Sequence, residues 1–177
     1  SQYRDVESLN HFRILRDKGM SEESAYNILK VHSRDNARTP MQWDGSENGG
    51  FTGGTPWIRV NPNCEKINAA AQVDDPDSIF SYYKTLVRLR KEHDVISQGD
   101  FTPLDPENSS VLAYRRSWEG TELLCISNFY RKPCSWKCPM DLEGYEILLS
   151  NYPDSRPERE MTLRPYESMI LLRRNGF

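Results

Sequence analysis

The stretch SRDNARTPMQWD, residues 33–44, fits neither a helical nor a strand period. It packs Arg34, Arg38, Asp35, Asp44, Pro40, Met41 and Trp43 into one short run. It continues through GSENGGFTGGTPW (45–57) and IRVNPN (58–63), and no sustained period returns before residue 74. A connection of about forty residues is several times the usual length, and such loops are functional or disordered. Disordered segments are poor in bulky apolar and aromatic residues. This one carries Met41, Trp43, Phe51, Trp57 and Ile58. An ordered, functional loop is the expectation. Pro40 and glycines 45, 49, 50, 53 and 54 suit the turns of a fixed irregular path, and Asp35 and Asn36 are suited to satisfying its backbone donors.

On the N-terminal side, residues 4–18 read as a helix, with Val6, Leu9, Phe12 and Leu15 as one apolar stripe and Gly19 as its stop. Ser21 reads as the N-cap of a second helix over 22–32, with Ala25, Ile28 and Leu29 on one face. On the other side, DDPDSIFSYYKTLVRLRKEHDVI gives a third helix over about 76–93. Pro76 stands at its start and Arg88, Arg90, Lys91 and His93 towards its C-terminal end. After Gly99 the pattern changes. DFTPL, VLAYRR, ELLCISNF, SWKCP, YEILLSN, EMTL and ESMILLRR are short runs divided by turn clusters, the signature of an antiparallel sandwich or barrel. The boundary is placed near residue 97.

Composition narrows the function classes. Of 177 residues, 37% are hydrophobic and 28% charged, a globular balance, and the net charge of −3 gives no basic footprint for nucleic acid. No apolar run is long enough to span a membrane, and SQYRDVESLN lacks the parts of a signal peptide. Cys64, Cys125, Cys134 and Cys138 form no CxxC pair, and the three histidines lie far from them in sequence, so no metal site is expected. Reduced cysteines in a cytoplasmic protein are the expectation, with a Cys134–Cys138 disulfide as the alternative.

SRDNARTPMQWD, together with GGFTGGTPWIRVNPN, INAAAQVDDPDSIFSYYKTLVRLRKE and YRDVESLN, resembles the oligo-1,6-glucosidase branch of the α-amylase superfamily. The resemblance covers essentially the whole chain, and residues 3–93 carry most of it. LRPYESMILL resembles the last strands of the C-terminal domain in these enzymes. Two departures are Cys64, where the family often has tyrosine, and Gly49, where alanine is common. The resemblance implies an α+β fragment. Residues 1–96 would be the C-terminal end of a catalytic (β/α)8 barrel, with the loop after strand eight and the last helix. Residues 97–177 would be an antiparallel β-sandwich. The family's retaining chemistry uses a nucleophile Asp after the fourth barrel strand, an acid/base Glu after the fifth and a third Asp after the seventh. None of those segments is in this sequence, so no catalytic residue is assigned.

A loop after the eighth strand lies at the end of the barrel where active sites are built. The resemblance therefore makes Arg34, Arg38 and Glu7 the candidate substrate-binding residues. One arginine of the block would contact the far hydroxyls of a terminal glucose and pair with an Asp from an early barrel loop; Arg34 is favoured over Arg38. Glu7 resembles an acid near the next sugar. The structural alternatives are that both arginines tie down the loop through Asp35 and Asp44, and that Glu7 is a helix-dipole partner. Trp43, Phe51 and Trp57 are expected to form the loop's own small core rather than stack on sugars, and Tyr82 and Tyr83 to pack against the barrel.

The implied parent cleaves terminal α-linked glucose from short α-gluco-oligosaccharides with retention, needs no cofactor, and pairs this chain with the missing barrel segment. The alternatives are a trehalose-6-phosphate hydrolase, a sucrose isomerase or other transglucosylase, and a non-enzymatic carbohydrate-binding or interaction module.

Overall fold

A computed structural model describes residues 3–174; the outer limits of the two expected domains, residues 1 and 177, lie outside them. The chain forms two compact units that divide between Thr85 and Leu86.

The first unit opens with a helical hairpin. Helix α1 (Val6–Asp17) begins later than its apolar pattern suggests, because Asp5 is its N-cap and accepts a hydrogen bond from the Ser8 amide at 3.0 Å. It ends as Gly19 requires. Gly19 takes a φ of 84°, its N–H donates to the Arg16 carbonyl, and the Met20 N–H reaches back to Leu15. Val6 is exposed, so the stripe reduces to Leu9, Phe12 and Leu15, all half-buried; the buried positions at the start of the helix are the polar Asp5 and Ser8. Helix α2 (Glu22–His32) starts from Ser21, whose hydroxyl caps Ser24, and buries Ala25 and Leu29. Phe12 meets Tyr26 across the hairpin with ring centroids 4.7 Å apart.

The long loop is ordered through its backbone. Three single 3-10 turns (Arg34–Ala37, Glu47–Gly50, Pro62–Glu65) and the short helix α3 (Ala70–Val73) punctuate it. Trp43 N–H donates to Gly49 O at 2.8 Å, and Ala69 and Ala70 N–H donate to Gln42 and Trp43 at 2.9 Å. Asp44 accepts from the Ser46 amide at 2.8 Å. Gly50, at φ 66°, stands where a Cβ would come within 2.7 Å of the Asp44 carboxylate, so a side chain there would be strained and would displace that carboxylate.

Helix α4 (Ile79–Glu92) starts three residues later than Pro76 implies. Pro76 falls in a turn closed by Ser78 N–H on Asp75 O, and the Ser78 hydroxyl accepts from Ser81 N–H at 3.1 Å and so takes the capping role. Within the second unit, Leu89 is buried, and the one-turn helix α5 (Asp94–Gln98) buries Val95 against the sheet that follows. Arg116 holds α5 there, donating to Val95 O at 3.1 Å and Gly99 O at 2.6 Å.

Seven strands follow: β1 (Asp100–Leu104), β2 (Val111–Trp118), β3 (Thr121–Asn128), β4 (Cys134–Lys137), β5 (Glu146–Ser150), β6 (Glu160–Leu163) and β7 (Ser168–Arg174). They form an antiparallel five-stranded sheet ordered β1-β2-β3-β7-β5 and a two-stranded β4-β6 sheet. Alternate residues from both sheets, among them Leu124, Ile126, Trp136, Leu163 and Leu171, make one core, as a sandwich requires. All four cysteines are free. Cys134 opens β4 and Cys138 immediately follows it, so extended backbone sets their Cα atoms about 13 Å apart, well beyond the ~7 Å reach of a disulfide.

The β6–β7 turn is held by one ion pair. Glu167, buried, accepts from the Arg164 amide at 2.8 Å and from its guanidinium Nε and Nη2 at 3.0 and 2.8 Å; the Ser155 hydroxyl adds a fourth bond. Arg164 also lies over the Tyr152 ring, 4.0 Å from its centroid. The Arg164 hydrogen bonds outweigh the cost of burial and bring the Glu167 carboxyl from 4.5 down to about 2. A carboxyl depressed on folding stabilises fully above its unfolded value and loses that contribution as pH falls through the folded one. Glu167→Gln is expected to cost about 2 kcal/mol near neutral pH, a figure discounted for the partial exposure of Arg164. In denaturant titrations that gap between wild type and variant closes between pH 4.5 and about 2.

Candidate functional site

Two of the three residues singled out in the sequence, Arg34 and Arg38, converge on one that was not, Asp5, and Glu7 joins them through Arg34. The position of Asp5 follows from local structure. As the N-cap of α1 it turns its carboxylate back along the first turn, where Oδ2 accepts from the Ser8 amide at 3.0 Å and the Ser8 hydroxyl at 2.9 Å. Oδ1 is left for the arginines. Arg34 Nε and Nη2 lie 3.2 and 3.1 Å from it, and Arg38 Nη1 at 3.9 Å. Arg34 Nη2 also reaches Glu7 Oε2 at 3.1 Å. The Asp5 side chain is only 4% exposed, whereas that of Arg34 is 50% exposed. The pair thus has a buried anion and a cation facing outward.

A second set of bonds makes the arrangement reciprocal. The Asp35 carboxylate, buried, accepts the backbone amides of Arg4 at 2.6 Å and Asp5 at 3.0 Å. The Ser33 hydroxyl lies 2.9 Å from the Ser8 hydroxyl and accepts from the Asp35 amide at 3.3 Å. The start of α1 and the turn Arg34–Ala37 therefore hold each other, about thirty residues apart in sequence, through the Asp35 carboxylate on backbone amides and the side-chain pair of Arg34 with Asp5. Burial raises the cost of ionising Asp5. The Ser8 hydrogen bonds and the Arg34 charge more than offset it, so the carboxyl titrates below its usual value.

The arrangement revises part of the sequence reading. The arginines do not engage Asp35 or Asp44: Asp35 serves backbone amides and Asp44 serves Ser46. Asn36 donates its side-chain amide to Lys30 O rather than accepting a backbone donor. Glu7, in the first turn of α1, has an arginine partner as well as the helix dipole. Trp43, Phe51 and Trp57 do not form a core; each is at least half exposed, and Trp57 is 73% exposed. The loop's order comes from polar bonds, which leaves its aromatic rings outward. Asp5, Ser8, Ser33 and Asp35 were missed as a unit. The signal was present in the Asp5–Ser8 spacing of a capping residue, masked by reading the helix from residue 4.

Arg34 Nη1 carries two N–H donors that neither acid takes up, suited to hydroxyl or anionic oxygens. Among the described residues no group of three or more His, Cys, Asp or Glu could hold a metal ion.

Residues 4–99 match the family model described as the α-amylase catalytic domain, and residues 101–170 match the maltogenic amylase C-terminal domain. The oligo-1,6-glucosidase of Halalkalibacterium halodurans is 40% identical over 98% of this chain and 32% of its own length. The trehalose-6-phosphate hydrolase of Bacillus subtilis is 42% identical over 96% of this chain and 31% of its own length. The crystal structure of Bacillus licheniformis trehalose-6-phosphate hydrolase superposes with a TM-score of 0.90 at 46% identity, over 97% of this chain and 32% of that one. The chain thus spans about a third of the length of the relatives it matches.

Removing the Asp5 carboxylate separates its two duties. Asp5→Ala is expected to speed amide exchange at Ser8 by about tenfold and to free the turn Arg34–Ala37, since cap and ion pair are both lost. Asp5→Asn keeps the cap, protects Ser8 nearly as well as wild type, and loosens only the turn. In wild type the arginine contact persists above the ordinary Asp value of 3.8 and is lost as pH falls below it, a change that hydrogen exchange followed by mass spectrometry reads directly.

Proposed function

The chain belongs to the α-amylase family, and on that premise we propose that it is part of a glycoside hydrolase that removes terminal α-linked glucose from short oligosaccharides with retention of configuration. The fold fits the family: the final part of a (β/α)8 catalytic domain followed by an antiparallel C-terminal domain. On this reading residues 1–96 complete the barrel and 97–177 form the sandwich. The observation that carries the reading is the half-exposed Arg34 guanidinium, fixed from behind by a buried Asp5 and from the side by Glu7.

A sugar pocket needs donors held still before the ligand arrives, because ordering them afterwards costs affinity. Arg34 meets that need: its Nε and Nη2 are committed to Asp5 and Glu7, and Nη1 faces the remaining space. In the proposed enzyme Arg34 grips hydroxyls of the terminal glucose, Glu7 borders the next sugar, and Arg38, more loosely tied to Asp5, anchors the loop beside Pro40. The nucleophile and the acid come from other segments of the parent. The exposed apolar face of α4, with Ile79 82% exposed and Tyr83 and Phe80 beside it, is the surface on which we seat the rest of the barrel.

A trehalose-6-phosphate hydrolase is the second reading. Two of the three similar proteins described above carry that name, and neither is less similar than the oligo-1,6-glucosidase. A transglucosylase would use the same first step, with a sugar replacing water in the second. A free-standing binding module has no use for the apolar face of α4. The four free cysteines suit the reducing cytoplasm, where we place the protein.

Two outcomes test the proposal. The purified 177-residue chain is expected to show no turnover of an aryl α-glucoside; activity that follows the chain through a sizing column contradicts it. In the full-length enzyme, Arg34→Ala is expected to lower kcat/KM by more than about tenfold. Arg38→Ala is expected to lower the melting temperature more than kcat/KM. Near-wild-type kinetics in Arg34→Ala would remove the sugar-binding role.

A further inference from the structure

The two backbone amides that lead into α1 have no partner within the helix. Asp5 is its N-cap and Arg4 precedes it, so neither N–H reaches a helical carbonyl. In a capping box the side chain at the third helical position turns back onto the N-cap N–H. That position here is Ser8, and its hydroxyl is committed to Asp5 Oδ2 at 2.9 Å. Asp35 takes the role instead, from 30 residues further along the chain. One of its oxygens, Oδ2, accepts both amides, from Arg4 at 2.6 Å and from Asp5 at 3.0 Å.

Asp35 is itself held from α2. Ser33 N–H donates to Leu29 O at 2.9 Å and closes that helix, and the Ser33 hydroxyl accepts the Asp35 amide at 3.3 Å. The Asp35 carbonyl accepts Arg38 N–H at 3.1 Å. Asp35 thus stands in the turn between Arg34 and Arg38, and it grips the backbone of the residue whose Oδ1 both arginines face, at 3.1 and 3.9 Å. The Arg34–Asp5 pair alone fixes a separation between two side chains. With the Asp5 backbone pinned to the same turn, it fixes a place, and a group that must meet a ligand needs its supporting residues locked in this way.

We infer that Asp35 is a positioning residue of the proposed sugar site: it sets the Asp5 backbone and, through Asp5, the place of the Arg34 guanidinium. The inference rests on the sugar-binding reading of Arg34. Asp35 is buried and turned to backbone amides, so it acts through Asp5 and not on the sugar. What the arrangement asks of it is an acceptor oxygen at one point, which a side-chain amide also supplies.

Kinetics on the full-length enzyme test this. Asp35→Ala is expected to lower kcat/KM by about fivefold, with kcat and KM moving in the same sense as in Arg34→Ala. Asp35→Asn keeps an oxygen for both amides and is expected to recover at least about half of the wild-type value. Added to Arg34→Ala, Asp35→Ala is expected to cause no further loss, the mark of one residue acting through the other. A residue that only stabilises the fold would lower the melting temperature and leave the kinetic constants of the folded enzyme unchanged, and that result overturns the inference. So do losses that multiply in the double variant, and an Asn variant as slow as the Ala one. Near-wild-type kinetics in Arg34→Ala would remove the sugar-binding reading and this inference with it; a loss there with none in Asp35→Ala removes the positioning role alone. If Asp35→Ala does not fold, hydrogen exchange in the wild-type enzyme decides. Slow exchange at the Arg4 and Asp5 amides supports the hold by Asp35, and unprotected exchange there beside a protected Ser8 amide overturns it.

Discussion

The buried carboxylate of Asp5 is the constraint on which the first unit turns. A buried anion must be paired or hydrogen-bonded, and Asp5 is both: Ser8 satisfies one oxygen and the two arginines the other. Because those partners come from the helix start and from a turn about thirty residues on, satisfying one carboxylate fixes the entrance of the long loop. Asp35 closes the same connection from the other side. A loop this polar has few buried apolar contacts to hold it, so its order rests on such bonds.

This division of labour explains why the loop can be both ordered and aromatic on the outside. Gly49 O, Gln42 O and Trp43 O take up backbone amides across it, and Gly50 leaves room for Asp44. None of these contacts consumes Trp43, Phe51 or Trp57. The sandwich works in the opposite way. Its stability comes from apolar side chains of both sheets, and polar groups such as Glu167 and Asn128 sit in a turn and at a strand end, where Asn128 donates to Lys132 O and Arg164 O.

How much of this was legible in the sequence follows from the same contrast. The strands, the hairpin and α4 were readable because apolar period and β-branched runs report burial directly. Their edges were less so. Pro76 and Arg4 look like helix residues by position, yet Ser78 and Asp5 hold the caps, and only the hydrogen bonds reveal it. The family motif pointed to Arg34, Arg38 and Glu7 but not to what gathers them, since a contact between residues about thirty apart leaves no local period. The aromatic rings misled for a related reason. Trp and Phe in an ordered loop imply a small core only if apolar contacts order the loop, and here hydrogen bonds do.

The central claim is that Asp5 acts on a sugar only by holding Arg34. A double-mutant cycle in the full-length enzyme, with Asp5→Asn and Arg34→Ala measured singly and together on kcat/KM, tests this most directly. If Asp5 works through Arg34, the double variant is no slower than Arg34→Ala alone, and Asp5→Asn loses part of the same factor. If the two losses multiply, Asp5 and Arg34 act independently, and the account of a guanidinium held in place by a buried carboxylate is contradicted.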